Sequence, residues 1–252
     1  MTAALRTLAF GELEAAGAWG AAWATDPDDP TLATLGAGRE WSVLPDLRLS
    51  RGEGTQEWRL TGPAATLLVA PVGEAVATRA AEDGIEASDQ LCRVTGRFLE
   101  RDGAECAVEC LGLRSWFSPA IELERYESIR AVSSWFGPDD GMALAAFRPR
   151  KAKAHDRDVL AATVIAADGS APVEDSRLST TYAEGGWPVR AGLELWVAGE
   201  EPDQQYPRRA SGEAKGARAQ ALSGSLELRA EPFHWHSRGR DGAGMYLLAH
   251  RR

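Results

Sequence analysis

Short runs of alternating apolar and polar residues, separated by Gly and Pro, recur along this chain from Trp41 onwards. Side chains alternate between the two faces of a strand, so this period of two predicts β-structure. No segment shows the spacing of a strongly amphipathic helix. We count about fourteen to sixteen short strands, a number and spacing typical of β-sandwiches and barrels. The predicted fold class is therefore all-β.

Two segments are expected to form equivalent hairpins. Leu91 to Leu113 folds about Asp102-Gly103, and Leu226 to Arg251 folds about Asp241-Gly242. Both turns lie in the same tetrapeptide, Arg-Asp-Gly-Ala, and an Asp-Gly pair readily adopts the positive φ angles of a two-residue turn. A hairpin at a corresponding place in each half indicates a duplicated β unit.

The length of the chain, 252 residues, suits one large β domain or two domains of about 125 residues each. The repeated hairpin favours two domains. We place an N-terminal domain at residues 1–127 and a C-terminal domain at residues 128–252. No change in composition marks the boundary between them.

The three cysteines are expected to be free thiols. Pairing the first hairpin about its Asp-Gly turn places Cys106 opposite Leu99 and Cys110 opposite Thr95, so that Cys92 points to the other face. Cys106 and Cys110 then stand about 13 Å apart along one strand, which is too far for a disulfide. Free thiols and the lack of a recognisable signal peptide predict a cytoplasmic protein.

Composition narrows the choice of partners. The net charge of −9 disfavours nucleic acid, because binding phosphates requires clustered Lys and Arg. No apolar run approaches the roughly 20 residues that span a bilayer, so we expect no integral membrane segment. Nine Trp residues against four Tyr residues either fill barrel interiors or line an apolar ligand cavity. The sequence carries no indication of the oligomeric state.

Several segments resemble the hydroxyneurosporene synthase-like group, which includes carotenoid hydratases and AttH-type proteins. The segments are GLRSW from Gly112, SSWFGPDDGMALAAFRP from Ser133, RLSTTY from Arg177, LELW from Leu193 and YPRRASGE from Tyr206. The resemblance covers about residues 90 to 252. It implies two tandem antiparallel lipocalin-like β-barrels of the calycin type, or barrel-like sandwiches, that act on or bind a hydrophobic small molecule without a cofactor.

One of these segments departs from the group. Members often carry an acidic residue and a His just before the Trp that corresponds to Trp116, whereas this chain has Leu113, Arg114 and Ser115 at that place. A hydratase needs a proton donor aimed at an alkene in a dry pocket. The resemblance therefore still implies two barrels able to enclose an apolar molecule. This chain, however, lacks the acidic residue at that place.

His234 and His236 stand at alternate positions of a predicted strand, where two imidazoles could chelate a metal. Pairing about Asp241-Gly242 places them opposite Ala249 and Leu247, on the less apolar face of the hairpin. We therefore expect both histidines outside the main core or at a cavity mouth, and we predict no metal site.

Glu194 is the candidate catalytic acid. It shares one face of a predicted strand with Trp196, and Leu193 and Leu195 occupy the other face. If the two leucines face the interior, the carboxylate is solvated. If they do not, Glu194 projects into the barrel beside an indole, where a buried carboxyl could act as a proton donor.

The other candidate site residues are aromatic or cationic side chains that could line an apolar cavity or hold the polar head of a ligand. With the two histidines they are Trp116, Trp135, Trp196, Trp235, Tyr182, Tyr206 and Arg177. The leading hypothesis is binding of an isoprenoid, polyketide or lipid-like molecule in a Trp-lined barrel. One alternative is a cofactor-free hydratase or cyclase that uses a carboxyl as general acid. Another is a structural or partner-binding protein with filled barrels.

Overall fold

A computed structural model shows the chain as an all-β protein. It describes residues 5–12, 17–25, 31–38, 40–52, 56–80, 84–118, 121–152, 158–167, 173–197, 207–223 and 226–251. These ranges hold eighteen β-strands and one 3-10 helix, Leu123–Arg125, and within them no helix is long and apolar enough to cross a membrane. The predicted fold class is confirmed.

The first sheet closes into a barrel. Its strands are β1 (Arg6–Gly11), β2 (Ala18–Ala24), β3 (Thr31–Ala37), β4 (Glu40–Arg51), β5 (Trp58–Gly62), β6 (Ala65–Pro71), β7 (Val76–Arg79), β8 (Glu86–Leu99) and β9 (Glu105–Ser118). They pair in the order β6-β5-β4-β3-β2-β1-β9-β8-β7, and β6 also pairs with β8. This additional pairing between β6 and β8 closes β1 to β6, β8 and β9 into a ring, with β7 beside it.

The second sheet is barrel-like. Its strands are β10 (Tyr126–Gly137), β11 (Asp140–Pro149), β12 (Val159–Ile165), β13 (Val173–Tyr182), β14 (Pro188–Val197), β15 (Arg208–Ala214), β16 (Ala219–Ser223), β17 (Leu226–Ser237) and β18 (Arg240–Arg251). The order is β12-β11-β10-β18-β17-β15-β14-β13, and β16 pairs with β17. The chain passes from one sheet to the other between Ser118 and Tyr126; the division at residue 127 stays a prediction.

Apolar side chains form three separate cores. One fills the first barrel and includes Leu8, Phe10, Leu60 and Phe98. A second fills the other barrel and includes Leu193, Phe233, Trp235 and Tyr246. The third lies between the two sheets and includes Trp19, Trp23, Trp135, Phe147 and Met245. Strands that face this third core are buried on both sides, which explains nearly continuous apolar sequences such as that of β2.

The first predicted hairpin forms, but its register differs by one residue. Leu99 pairs with Glu105, so five residues rather than two connect β8 and β9. Cys106 consequently lies opposite Phe98. A slip of one residue turns side chains to the other face of a strand, so Cys92 shares the barrel interior with Cys110, and the predicted opposite placement is wrong. All three cysteines are free.

The second predicted hairpin forms about a different turn. Ser237 pairs with Arg240, and Arg238 and Gly239 adopt positive φ angles of 51° and 73°. The prediction of a turn at Asp241-Gly242 is therefore wrong. Gly242 is required for another reason, because a Cβ there would come within 2.4 Å of the Phe136 ring.

The error in the second turn leaves the faces of the hairpin unchanged. His234 lies opposite Ala243 and His236 opposite Asp241, so each partner has moved by six positions from the predicted one. An even shift preserves which side chains share a face. Both histidines accordingly point outward, as predicted, and Trp235 points into the barrel.

Candidate functional site

A cavity of about 390 Å³ opens at one end of the first barrel. It lies where β1 begins, β4 ends, β5 begins and β9 ends, and its lining residues are Arg6, Arg51, Gln56, Trp58, Ala75, Gln90, Arg114, Trp116, Phe117 and Ser118. Small-molecule sites in proteins usually measure about 300–1,000 Å³. This cavity is therefore large enough for a compact ligand.

Arg114 is the central polar residue of the cavity. Strand alternation on β9 turns it into the barrel, where it is only 2% exposed. Its Nε and Nη2 atoms donate to Gln90 Oε1 at 3.1 and 2.5 Å, and Nη1 donates to the Gln56 carbonyl at 2.6 Å. Gln90 in turn donates to the Gly73 carbonyl at 2.8 Å, which holds its amide oxygen toward the guanidinium.

Aromatic rings surround this guanidinium. The Arg114 Cζ atom lies 4.9 Å from the centroid of the Trp58 ring, within the range of a cation–π contact. The Trp58 and Trp116 rings lie 6.0 Å apart at 59°. The cavity thus combines an apolar aromatic wall with a fixed cation.

The cavity is electropositive. Burial lowers the pKa of the Arg114 guanidinium, and the charge of nearby Arg51 lowers it further. Arg6, at the mouth, donates to the Leu49 carbonyl at 3.4 Å. Among the described residues none of these three arginines forms an ion pair with a carboxylate. Their combined charge is therefore uncompensated within that part of the chain.

Three of the four predicted tryptophans lie in three different environments. Trp116 lines the cavity of the first barrel. Trp135 lies in the core between the sheets, where its Nε1 donates to the Gly11 carbonyl at 3.3 Å. Trp235 is fully buried in the second barrel against Phe233, with ring centroids 5.7 Å apart. Only the first of the three lines the electropositive cavity.

Three further predicted ligand-binding residues lie on the second sheet. The Arg177 Cζ atom stands 4.9 Å from the Trp196 ring centroid. The Tyr182 hydroxyl is 3.1 Å from the Tyr246 hydroxyl, at the edge of the second barrel. None of these contacts reaches the cavity of the first barrel. Tyr206 lies outside the described residues.

Glu194 points away from the barrel interior. Leu193 and Leu195 are both fully buried in the second barrel, so the carboxylate lies on the outer face and forms an ion pair with Arg209 Nε at 2.9 Å. The solvated arrangement is therefore the observed one. The interior setting expected of a proton donor is not found at this residue.

Both histidines contact the same carboxylate, that of Asp241. His236 Nδ1 lies 3.1 Å and His234 Nε2 lies 3.4 Å from Asp241 Oδ1. The hydrogen bond with His236 is the main reason why the pKa of Asp241 is lowered. No group of three or more potential metal ligands occurs among the described residues.

Two shallow grooves contain other predicted residues. Glu194 and His236 share an open depression of about 420 Å³ on the outer face of the second sheet. Trp135 borders an open groove of about 350 Å³ between the sheets. Both lack a buried, uncompensated charge among their described lining residues, so they are weaker candidates than the barrel cavity.

Among the described residues, two buried carboxyls outside the cavity have a raised pKa. Asp89, 3% exposed, lies between the sheets and accepts a hydrogen bond from Thr163 Oγ1 at 2.6 Å, and burial raises its pKa. Glu231 is fully buried inside the second barrel, 3.1 Å from Arg218 Nε, and burial raises its pKa to about 7. Neither lines the cavity that contains Arg114.

Glu231→Gln is expected to flatten the pH dependence of stability. The pKa of this carboxyl rises from 4.5 to about 7 on folding, so the folded state binds the proton more tightly than the unfolded chain. Stability from this group is fully present below pH 4.5 and is lost as the pH rises to about 7. The loss is about 1–3 kcal/mol.

Urea unfolding at about pH 5 and about pH 8 measures this effect. Glu213→Gln is the matched control, because Glu213 lies on the surface beside Arg190. A Glu231→Gln protein that loses as much stability as the wild type between the two pH values would contradict the assignment.

Sequence reasoning missed the main residues of the cavity. In the sequence Arg114 stands out only as a departure from a family pattern, and Trp58 and Gln90 belong to no local motif. Their convergence depends on strand register across β5, β8 and β9. Strand alternation within GLRSW places Arg114 on the same face as Trp116. This shared face was the one sequence feature indicating that Arg114 lies beside a candidate ligand-binding residue.

The fold and the cavity define a tandem β-barrel protein with an electropositive, aromatic pocket at the mouth of one barrel. Among solved structures, a protein from Nitrosomonas europaea designated AttH has a TM-score of 0.61 and 11% identity, covering 100% of this chain and 94% of its own. CghA, solved with Sch210972, has a TM-score of 0.61 and 11% identity, covering 99% and 89%.

Kievitone hydratase from Nectria haematococca has a TM-score of 0.59 and 10% identity, covering 99% of this chain and 89% of its own. At such low identity these likenesses show the fold alone. They support the tandem-barrel resemblance at that level. No family model and no curated protein matches the sequence.

Proposed function

We propose that this protein binds a hydrophobic small molecule, of isoprenoid, polyketide or lipid-like chemistry, in the cavity at the mouth of the first barrel. The observation that carries the proposal is the cavity itself, about 390 Å³ with Trp58, Trp116 and Phe117 in its wall. Apolar rings around a concave space are the usual features of a small-molecule site.

The cavity favours ligand binding over a structural role. Below it the first barrel is filled by side chains such as Leu8, Phe10 and Leu60, and the second barrel is filled as well. A purely structural barrel has no need of an open end lined by buried polar groups, because these cost desolvation energy. The ligand therefore binds at the mouth and does not thread through the barrel.

The lining residues favour binding over catalysis. None of the described residues around the cavity is acidic. Proton transfer to an alkene requires a donor within hydrogen-bonding reach of the substrate. A ligand in this cavity would meet arginine, glutamine and aromatic side chains, which hold and orient a molecule without protonating it.

The proposed site is tested by placing a bulky side chain at the rim of the cavity and measuring ligand retention. Ala75→Trp introduces an indole at the exposed edge of the cavity, whereas Ala77→Trp places one on the exposed face of β7 outside it. Each protein is incubated with an organic extract, and the retained compound is identified and quantified by mass spectrometry. We expect retention by the wild type and by Ala77→Trp, and a loss of about tenfold or more in Ala75→Trp.

Equal retention by all three proteins, or by none, would contradict the proposed site. A retained compound that emerges chemically unchanged also counts against turnover. These two readouts separate the location of the site from the question of catalysis.

The second candidate function is a cofactor-free hydratase or cyclase. It is favoured by the raised pKa of Glu231, about 7, because a buried carboxyl that keeps its proton near neutral pH is a suitable general acid. The fold likeness to kievitone hydratase is consistent with it. Glu231 does not line the first-barrel cavity, so under this alternative the substrate binds in the second barrel instead. Glu231→Gln then abolishes conversion of that substrate and Ala75→Trp leaves it unchanged; full conversion by Glu231→Gln would exclude Glu231 as the acid.

A further inference from the structure

The guanidinium of Arg114 is buried, and no described carboxylate supplies it with a counter-charge. A buried ionised group costs several kcal/mol unless it is paired, and proteins normally pair such a group with a carboxylate. Arg114 is 2% exposed, yet its partners among the described residues are an amide oxygen, a backbone carbonyl and an indole face. Neutral acceptors of this kind orient a cation but do not neutralise it.

The hydrogen bonds of Arg114 leave part of its donor capacity unused. A guanidinium carries five N–H donors. Three of them are used by Gln90 and Gln56, one from each nitrogen. Within the described part of the chain, one N–H therefore remains available on each terminal nitrogen. A planar carboxylate can accept from both terminal nitrogens of a guanidinium.

Two more arginines reinforce the positive charge of the cavity. Arg6 and Arg51 line the same cavity and form no ion pair with a described carboxylate. Arg51 is exposed at the rim, and its charge is close enough to that of Arg114 to lower the pKa of the latter. Like charges held together in a pocket are stabilised when an anion binds between them.

We infer that the ligand of this cavity is an amphipathic organic carboxylate, whose anionic head binds Arg114 and whose apolar body packs on the aromatic wall. The inference rests on the proposed function and specifies its ligand class. Trp58 and Trp116 supply the wall beside the guanidinium. Gln90 is a positioning residue, because it holds the guanidinium in place through Oε1 while its own amide is fixed by Gly73.

Titration calorimetry with decanoate and with decanamide tests the inference, since the two probes share an apolar chain and differ in charge. We expect the wild type to bind decanoate about tenfold or more tightly than decanamide. Arg114→Gln should weaken decanoate binding by about 10- to 100-fold and leave decanamide binding within about twofold.

Two further variants, both at exposed residues, test the inference even if Arg114→Gln fails to fold. Arg51→Gln alters an exposed side chain at the rim, and it should weaken decanoate binding by about three- to tenfold without loss of structure. Arg97→Gln is the control, because Arg97 is exposed and pairs with Glu105 at 3.3 Å outside the cavity. It should leave both affinities unchanged.

The outcomes separate the inference from the function on which it rests. If decanoate and decanamide bind equally well, the carboxylate inference is overturned and apolar binding stands. If neither probe binds, the cavity is not an apolar-ligand site and both proposals fail. If Arg97→Gln weakens decanoate binding as much as Arg114→Gln, the effect is one of overall charge and the inference is again overturned.

Discussion

Trp135→Ala is expected to lower the free energy of unfolding by about 3–5 kcal/mol, the range typical of a large buried aromatic residue. Trp135 is 3% exposed, lies in the core between the two sheets, and donates to the Gly11 carbonyl at 3.3 Å. Removing it leaves a void between the barrels and deletes this hydrogen bond. The folded variant should bind the ligand of the first barrel as the wild type does.

Urea unfolding and ligand titration on the same samples check this expectation. Trp116→Ala is the matched comparison, because Trp116 lies in the cavity wall and is partly exposed. It should lose only about 1 kcal/mol of stability and should weaken ligand binding. If Trp135→Ala had normal stability but no longer bound ligand, the result would contradict this expectation and would indicate that the ligand binds in the groove between the sheets.

Gly244→Ala is expected to destabilise the second barrel by about 3 kcal/mol or more, because the added methyl group has no space. A Cβ at this position would lie 2.0 Å from the Ser133 carbonyl oxygen and 2.6 Å from Trp235 Nε1. The carbonyl belongs to the neighbouring strand and cannot move without breaking the pairing of β10 with β18. Trp235 is fully buried and cannot swing away.

Gly137→Ala is the control for this steric prediction. A Cβ there would lie 3.1 Å from Arg240 Nη2, the end of a flexible side chain. Its expected cost is below about 1 kcal/mol. Thermal unfolding of both variants measures the difference, and equal melting temperatures would show that β10 and β18 do not approach each other as described.

The sequence was sufficient to predict the type of fold because β-structure leaves a local pattern. Strand alternation and two hairpins at corresponding positions predicted an all-β protein with a duplicated β unit. The turns were less predictable, because a Gly beside an Asp can serve either a turn or a close approach. Gly103 has a φ of 86° in the β8–β9 connection, whereas Gly242 lies within a strand against Phe136.

The site was less predictable than the fold because it depends on register. A shift of one residue turned Cys92 to the interior, whereas a shift of six left His234 and His236 outside. Arg114 and Gln90 lie opposite each other in the β8–β9 hairpin, where the predicted register was off by one residue, and Trp58 comes from β5. Of the predicted site residues that the structure describes, Trp116 alone lies in the cavity wall.

The most direct test of the account is a crystal structure of the protein with bound decanoate. We expect the carboxylate within hydrogen-bonding distance of the terminal nitrogens of Arg114 and the alkyl chain against Trp58 and Trp116. Decanoate bound in the second barrel, on the outer face near Glu194, or with its carboxylate directed away from Arg114 would contradict the account.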